Sequence, residues 1–310
     1  MEEGPEEIGV DPHSYRLVLS CPTGLSRSQV FVDFSAAYDR VPSPNLELEE
    51  SISKIWDERI QKNPLLYNGK KFRFLNLQYA GYKFCPAEDG ANKEPSVCLQ
   101  LGLTDYRTFA GTNLSPFWMK FIVHSEDDST QCQHTSSPLG NGAIVETSDG
   151  KILVLQRSCN VGEFPGYFVF PGGHPEPQEI GISGHEDNKA PTEVRVLQER
   201  ISQEMFEGII REVVEEIGVP ASALSDPLFI GISRRELNVR PTAFFYIKCS
   251  MESEEVDRLY HTAQDGYEST QLCIALKNDL EKLALRMPGC HHGGFTLYQL
   301  MIEALETSSS

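Results

Sequence analysis

The sequence predicts an α+β protein, with a mixed α+β segment over residues 1–130 and a strand-rich unit built around one long helix over residues 137–306. Three observations predict this. At 310 residues the chain exceeds the roughly 100–200 residues of an ordinary domain. Strand and helix periodicities alternate in its first part, then give way after Pro138 to short apolar runs separated by turns. Between the two parts lies a polar stretch, Ser125 to Ser137, containing Asp127-Asp128-Ser129 and Ser136-Ser137, where a boundary is expected.

The elements follow in order. Tyr15 to Ser20 and Gln29 to Phe34 read as strands on either side of a Pro22-Thr23-Gly24 turn. Leu46 to Ile60 reads as a helix, because Leu48, Ile52, Ile55 and Trp56 share one face. Phe72 to Tyr79 and Val97 to Leu103 are further strands, with a polar loop expected over Pro86 to Pro95. Gly142 to Glu146 and Lys151 to Gln156 flank Ser148-Asp149-Gly150 and predict a hairpin. Tyr167 to Phe170 is a short strand running into Pro171-Gly172-Gly173. A helix is expected over Gln203 to Ile217, strands over Leu228 to Ile232 and Ala243 to Cys249, and a helix over Glu252 to His261. A strand over Leu272 to Leu276 and a helix over Thr296 to Leu305 close the chain.

The formal charge of −18 argues against nucleic acid and anionic membranes as partners, since both need a basic footprint. No apolar run reaches the ~18 residues of a membrane span. The acidic start, Met1-Glu2-Glu3-Gly4-Pro5-Glu6-Glu7, lacks the positive and then apolar character of a secretory signal, so a cytoplasmic protein, with a nuclear pool allowed, is expected. Eight scattered cysteines without a CxxC pair read as reduced thiols. Cys290-His291-His292, one cluster without a second ligand group, is weak grounds for zinc. No protein partner is implied.

The most informative segment is Ile201 to Pro220. Ser202 suits the N-cap and Ile201 can staple onto Phe206. Gly218 suits the left-handed stop, and Pro220 bars continuation. Met205, Phe206, Ile209, Ile210, Val213 and Ile217 form an apolar stripe. Beside it, Glu212, Glu215 and Glu216 stand at i, i+3 and i+4 on adjacent turns. Three bare glutamates suit an ordinary solvated face. Equally, their mutual repulsion can be offset by a hard divalent cation, since Mg²⁺ takes carboxylate oxygens and keeps several waters.

The surrounding residues decide between these. Gly173, Glu179, Arg211, Glu212, Val213, Glu215, Glu216, Gly218 and Val219 fill each fixed class of the pattern G-x5-E-x7-R-E-U-x-E-E-x-G-U, so the segment resembles the Nudix box. One departure is clear: the gap from Ile180 to Ile210 holds 31 residues instead of seven, an insertion of 24. It is expected over about 180–202, bulging outward as a loop, which puts the place of Glu179 in question. With Pro171-Gly172-Gly173-His174-Pro175-Glu176-Pro177-Gln178, and with Trp56-Asp57-Glu58-Arg59, Lys71-Phe72-Arg73, Asp105-Tyr106-Arg107, Ala110-Gly111-Thr112-Asn113 and Glu268-Ser269-Thr270, the chain is similar to the subfamily of UDP-glucose/UDP-galactose diphosphatases.

The resemblance implies a Nudix α/β/α sandwich with a mixed central sheet for residues 137–306. It implies hydrolysis of the diphosphate bond of a nucleoside diphosphate linked to another group, a UDP-sugar before others, with Mg²⁺ or Mn²⁺ as cofactor. Glu212 and Glu216 are then the metal ligands. Glu215 is a ligand or water-positioning base, the carbonyl of Gly172 or Gly173 completes the shell, and Glu268 is a candidate base. Arg157, ending a strand that faces the box, is a candidate diphosphate clamp; Arg234 and Arg235 are weaker ones. His174 and Glu176 are candidates for phosphate or sugar contacts, and Tyr67 and Tyr106 for stacking on the base. Alternatives are ADP-ribose or a dinucleotide as substrate, or a non-catalytic module that binds a nucleotide sugar.

Overall fold

The computed structural model describes residues 10–78, 95–158, 163–185, 190–261 and 269–308. In chain order its principal elements are β1 (Tyr15–Leu25), β2 (Val30–Phe34), α1 (Leu46–Lys62), β3 (Lys70–Gln78), β4 (Val97–Asp105), α2 (Tyr106–Gly111), α3 (Asp128–Gln131), β5 (Gly140–Glu146), β6 (Ile152–Arg157), β7 (Phe168–Val169), α4 (Pro191–Ile217), β8 (Leu228–Arg235), β9 (Pro241–Lys248), α5 (Ser253–Tyr260), β10 (Ser269–Ala275), α6 (Lys277–Ala284) and α7 (Gly289–Ser308).

Among the described residues the large sheet runs β1-β8-β9-β5-β6-β10, with β7 added on β6. It is mixed: β5 and β9 are parallel, the remaining pairs antiparallel. Alternation along the strands sorts its two faces. Ala143, Val145, Leu153 and Leu155 pack with Ile201, Met205, Phe206, Ile209, Val213 and Ile217 of α4. Ile144, Ile152 and Val154 point the other way, against Leu280 of α6 and Phe295, Leu297, Tyr298 and Met301 of α7. This is the α/β/α sandwich expected. No described helix is long and apolar enough to cross a membrane.

A smaller sheet, β2-β4-β3, packs on the outer side of α4. Val30, Val32, Phe72, Phe74, Leu99 and Leu101 join the same apolar cluster as the α4 stripe. The two parts of the chain thus share a core, and β1, from the N-terminal segment, pairs along β8 and covers that edge of the large sheet. Sheet membership therefore does not divide at the boundary expected near residue 130. The polar stretch there is not a loose linker, for Thr135, Ser136 and Ser137 are buried. The guanidinium of buried Arg73 donates to the carbonyls of Tyr38 (2.8 Å), Cys132 (3.0 Å) and Thr135 (3.2 Å), which folds the stretch inward.

Three expectations are corrected. Pro22-Thr23-Gly24 is no turn: it lies inside β1 as a bulge, where Ser20 pairs with Gly231 and Leu25 with Phe229. β1 and β2 belong to different sheets. The helix starts at Pro191, not near Gln203. Proline at the first position is favourable there, and Ser202 is internal, its hydroxyl donating to the Val30 carbonyl at 2.6 Å. The second half of the insertion is thus extra helix that clamps β2, instead of an outward loop. The expected polar loop over Pro86 to Pro95 lies outside the described residues except for its last residue.

Candidate active site

The site begins where the large sheet splits. β5 and β6 pair only at Glu146 and Ile152 and then diverge. β7 and the Pro171-Gly172-Gly173 turn enter the gap, and the turn pairs with β5: Ala143 N–H donates to the Pro171 carbonyl (2.8 Å) and Asn141 N–H to the Gly173 carbonyl (3.0 Å). The Asn141 side chain accepts from Gly173 N–H at 3.0 Å. Both glycines are required by close approach. Gly172 has φ +155°, and a Cβ there would stand 2.8 Å from Gly142 Cα. A Cβ on Gly173 would collide with the carboxylate of Glu212.

That collision shows how closely α4 lies on the turn. Gly172 N–H donates to Glu216 Oε2 at 2.8 Å, and His174 N–H approaches Glu212 Oε1 at 3.3 Å. Two carboxylates one helical turn apart are thereby aimed at one glycine turn. Glu212, Glu215 and Glu216 are half-buried. Gly218 ends the helix in the left-handed conformation expected of it, φ +84°.

Arg211, on the carboxyl-bearing helix, is hydrogen-bonded to Glu204, and Glu179 adds only the attraction of its charge. Its guanidinium donates to Glu204 Oε1 at 2.6 Å, and Glu204 is buried. Glu204 also accepts from Glu176 N–H at 3.0 Å, tying the loop after the turn to the helix. Burial would lower the Arg211 pKa, yet the hydrogen bond and charge of Glu204 raise it. Glu179 is exposed in a short 3-10 turn. It precedes α4, and the side chain that pairs with Arg211 is Glu204, seven residues earlier on α4 itself.

The other expected residues are distributed as follows. His174 Nε2 lies 3.0 Å from an Arg240 Nη2 donor, and burial, then Arg240 and Lys71, hold its pKa well below the usual value. The imidazole is therefore neutral with Nε2 as acceptor, which leaves the proton on Nδ1. Glu176 pairs with Lys71 at 2.8 Å. Tyr67 is an exposed rim residue whose hydroxyl accepts from Gln178 at 2.9 Å. Tyr106 packs edge-on against Trp56 and near Phe109. Arg157 donates to the Glu163 carbonyl at 2.9 Å, near enough to Arg240 for the two charges to repel. Arg234 points away, to Asp128 (3.3 Å) and Gln131 (3.2 Å) on α3. His291 accepts from Phe170 N–H at 3.1 Å and its ring lies by Phe170 and Phe244, so it braces the strand entering the turn. Glu268 lies outside the described residues.

Sequence reasoning missed Asn141, Glu204, Glu163 and Arg240. Only Glu204 carried a signal, an acid seven residues before Arg211 on the helical stripe's flank. The rest are brought in by strand pairing across long sequence separations.

Hard oxygen donors suit a divalent cation. Among the described residues no three His, Cys, Asp or Glu side chains converge into a complete cage, but Mg²⁺ ordinarily takes one or two carboxylates and fills the rest with water and substrate phosphate. The Glu212–Glu216 pair beside the glycine turn fits that habit.

Comparison with known proteins gives the same direction. No family model matches the chain. It is 58% identical to Nudix hydrolase 9 of Arabidopsis thaliana over 98% of this chain and 96% of that protein. It is 34% identical to the human uridine diphosphate glucose pyrophosphatase NUDT22 over 86% and 84% of the two chains. The mouse protein of the same name is 35% identical over 86% and 83%.

Proposed function

The chain belongs to the Nudix hydrolase family, and from that premise we propose that it splits the diphosphate of a UDP-sugar, UDP-glucose or UDP-galactose, into UMP and a sugar 1-phosphate. The observation that carries this reading is the pair of carboxylates, Glu212 and Glu216, held against the glycine turn by Gly172 and His174 N–H groups. The relatives named as uridine diphosphate glucose pyrophosphatases support the choice of nucleotide sugar.

Glu212 and Glu216 would hold Mg²⁺ or Mn²⁺. When bound, such an ion withdraws charge from phosphoryl oxygens and lowers the pKa of water. Glu215, on the same face of α4, positions or deprotonates the attacking water; Glu268, ahead of β10, is the other candidate for that role. Arg157 steadies the diphosphate. His174, neutral with its proton on Nδ1, donates to a phosphate or sugar oxygen. Glu176 offers its carboxylate to sugar hydroxyls beside Lys71. Tyr67 stands at the rim on the N-terminal side and stacks on the base, and Tyr106 backs that wall.

The test is turnover of a panel containing UDP-glucose, UDP-galactose, ADP-ribose and a dinucleoside polyphosphate, by wild type and Glu216→Gln. UDP-sugars are expected to be cut fastest, and the variant to lose about 10²-fold or more in kcat, the scale seen when a transition-state charge contact is removed. Preference for ADP-ribose would change the substrate. An unimpaired Glu216→Gln would overturn the role of the carboxylate pair.

A further inference from the structure

Beside the glycine turn lies a second group of charges that the box pattern does not contain. Arg235 ends β8 and is fully buried; Arg240 immediately precedes β9. Both pair with one carboxylate, Glu163: Arg235 closely, and Arg240 at 3.3 Å. Arg157 touches the backbone of the same residue. Arg240 also donates to His174, whose own N–H meets Glu212. The cationic group and the carboxylate pair of α4 are therefore separated by one histidine.

Two donors at this place lack a partner among the described residues. They are Arg240 Nε and Asn141 Nδ2, both buried atoms. A buried donor left unpaired costs about 1–3 kcal/mol, so these two offer a favourable place to an acceptor from outside, whether a water or a ligand oxygen. The backbone is strained as well: Asn238 and Val239 have φ +56° and +49°. Consecutive left-handed non-glycine residues, one β-branched, persist only when neighbours hold them. Asn238 accepts from Arg235 Nε at 2.6 Å through its side chain and from Asn113 Nδ2 at 2.8 Å through its carbonyl. The Ala110-Gly111-Thr112-Asn113 segment therefore holds, through Asn113, the turn that presents the two arginines.

We propose that Arg235, Arg240 and Asn141 form the seat of the substrate's diphosphate, and that Glu163 occupies this seat until the diphosphate displaces it. The proposal rests on the hydrolase reading for the identity of the anion. The chemistry is direct. Guanidinium groups match phosphate oxygens in planar, charge-assisted pairs, and a protein of charge −18 needs a local concentration of cations to admit such a ligand. A carboxylate fills the same acceptor role with less charge, so it holds the seat in competition with the diphosphate and yields to the more highly charged ligand.

The test uses the full chain with inorganic pyrophosphate as probe, titrated calorimetrically in EDTA so that the carboxylate pair and any metal take no part. Arg240→Ala is expected to weaken binding roughly tenfold or more, as loss of a charged hydrogen-bond partner implies. Arg240→Lys is expected to recover part of it. Glu163→Gln, which keeps shape but removes the competing charge, is expected to tighten pyrophosphate binding several-fold and to lower the KM for the best nucleotide sugar. A thermal melt of each variant separates these effects from unfolding. Pyrophosphate binding that is unchanged or weaker in a folded Glu163→Gln, or unchanged in Arg240→Ala, would overturn the proposal. If the titrations behave as expected but no nucleotide sugar is turned over, the seat stands and the hydrolase reading fails.

Discussion

Gly173→Ala isolates the geometry on which the site depends. A Cβ at 173 would stand 2.7 Å from Glu212 Oε2 and nearer still to Oε1 and Cδ. Non-bonded heavy atoms settle near 3.5 Å, so the carboxylate must retreat by roughly 1 Å or more. It then loses its 3.3 Å approach to His174 N–H. Misplacing a reacting group by about 1 Å costs on the order of 10²-fold in rate, and kcat for the best nucleotide sugar is expected to fall by that factor. Stability is expected to fall by only about 1 kcal/mol, because the obstacle is a side chain that can rotate at about 0.5–1.5 kcal/mol. Gly172→Ala is the contrast. There the obstacle is the backbone of Asn141 and Gly142, with φ +155°, and a loss of about 1–3 kcal/mol is expected from strain alone. The assay is release of phosphate from the sugar 1-phosphate and UMP by added phosphatase, run beside a thermal melt. A Gly173→Ala protein with wild-type kcat would refute the reasoning, for Glu212 would then be working somewhere other than beside this glycine.

Other predictions concern the supports and the rim. Glu204→Ala is expected to destabilise the chain by about 1–3 kcal/mol, since it leaves Glu176 N–H without its buried acceptor, whereas Glu179→Ala should change stability by less than about 0.5 kcal/mol, as surface substitutions do; a larger effect at Glu179 in denaturant titrations would reverse their roles. Tyr67→Ala is expected to raise KM more than it lowers kcat, because the ring is exposed at the rim and makes uniform binding contacts; an unchanged KM would remove it from the base pocket. Tyr106→Ala is expected to lower the melting temperature as well, since the ring packs on Trp56 and Phe109.

Much of the site was legible because its chemistry lies within one helix. The spacing of Glu212, Glu215 and Glu216, the stop at Gly218 and the glycine pair are local facts, and in the structure Glu212 and Glu216 meet the turn at the His174 and Gly172 N–H groups. The alternation in Gly140–Glu146 and Ile152–Arg157 similarly decided which side chains face α4 and which face α7. What was illegible depends on pairing at a distance. Nothing near Pro22-Thr23-Gly24 tells a turn from a bulge, because the outcome is set by β8, more than two hundred residues later. The insertion looked like a loop because its start is polar. Its later half helps close the shared core, where Leu197 packs and Ile201 is buried. Arg240 and Glu163 show no periodicity or motif; only the fold brings Arg240 to His174 and Glu163 to Arg240.

The most direct measurement is an anomalous difference map from crystals of the chain soaked with Mn²⁺ and a non-hydrolysable UDP-sugar analogue. The expected result is a Mn²⁺ peak within coordination distance of the Glu212 and Glu216 carboxylates, with the analogue's diphosphate reaching from it toward Arg240. A peak at another place, or an analogue seated away from the Gly172-Gly173 turn, would contradict the account.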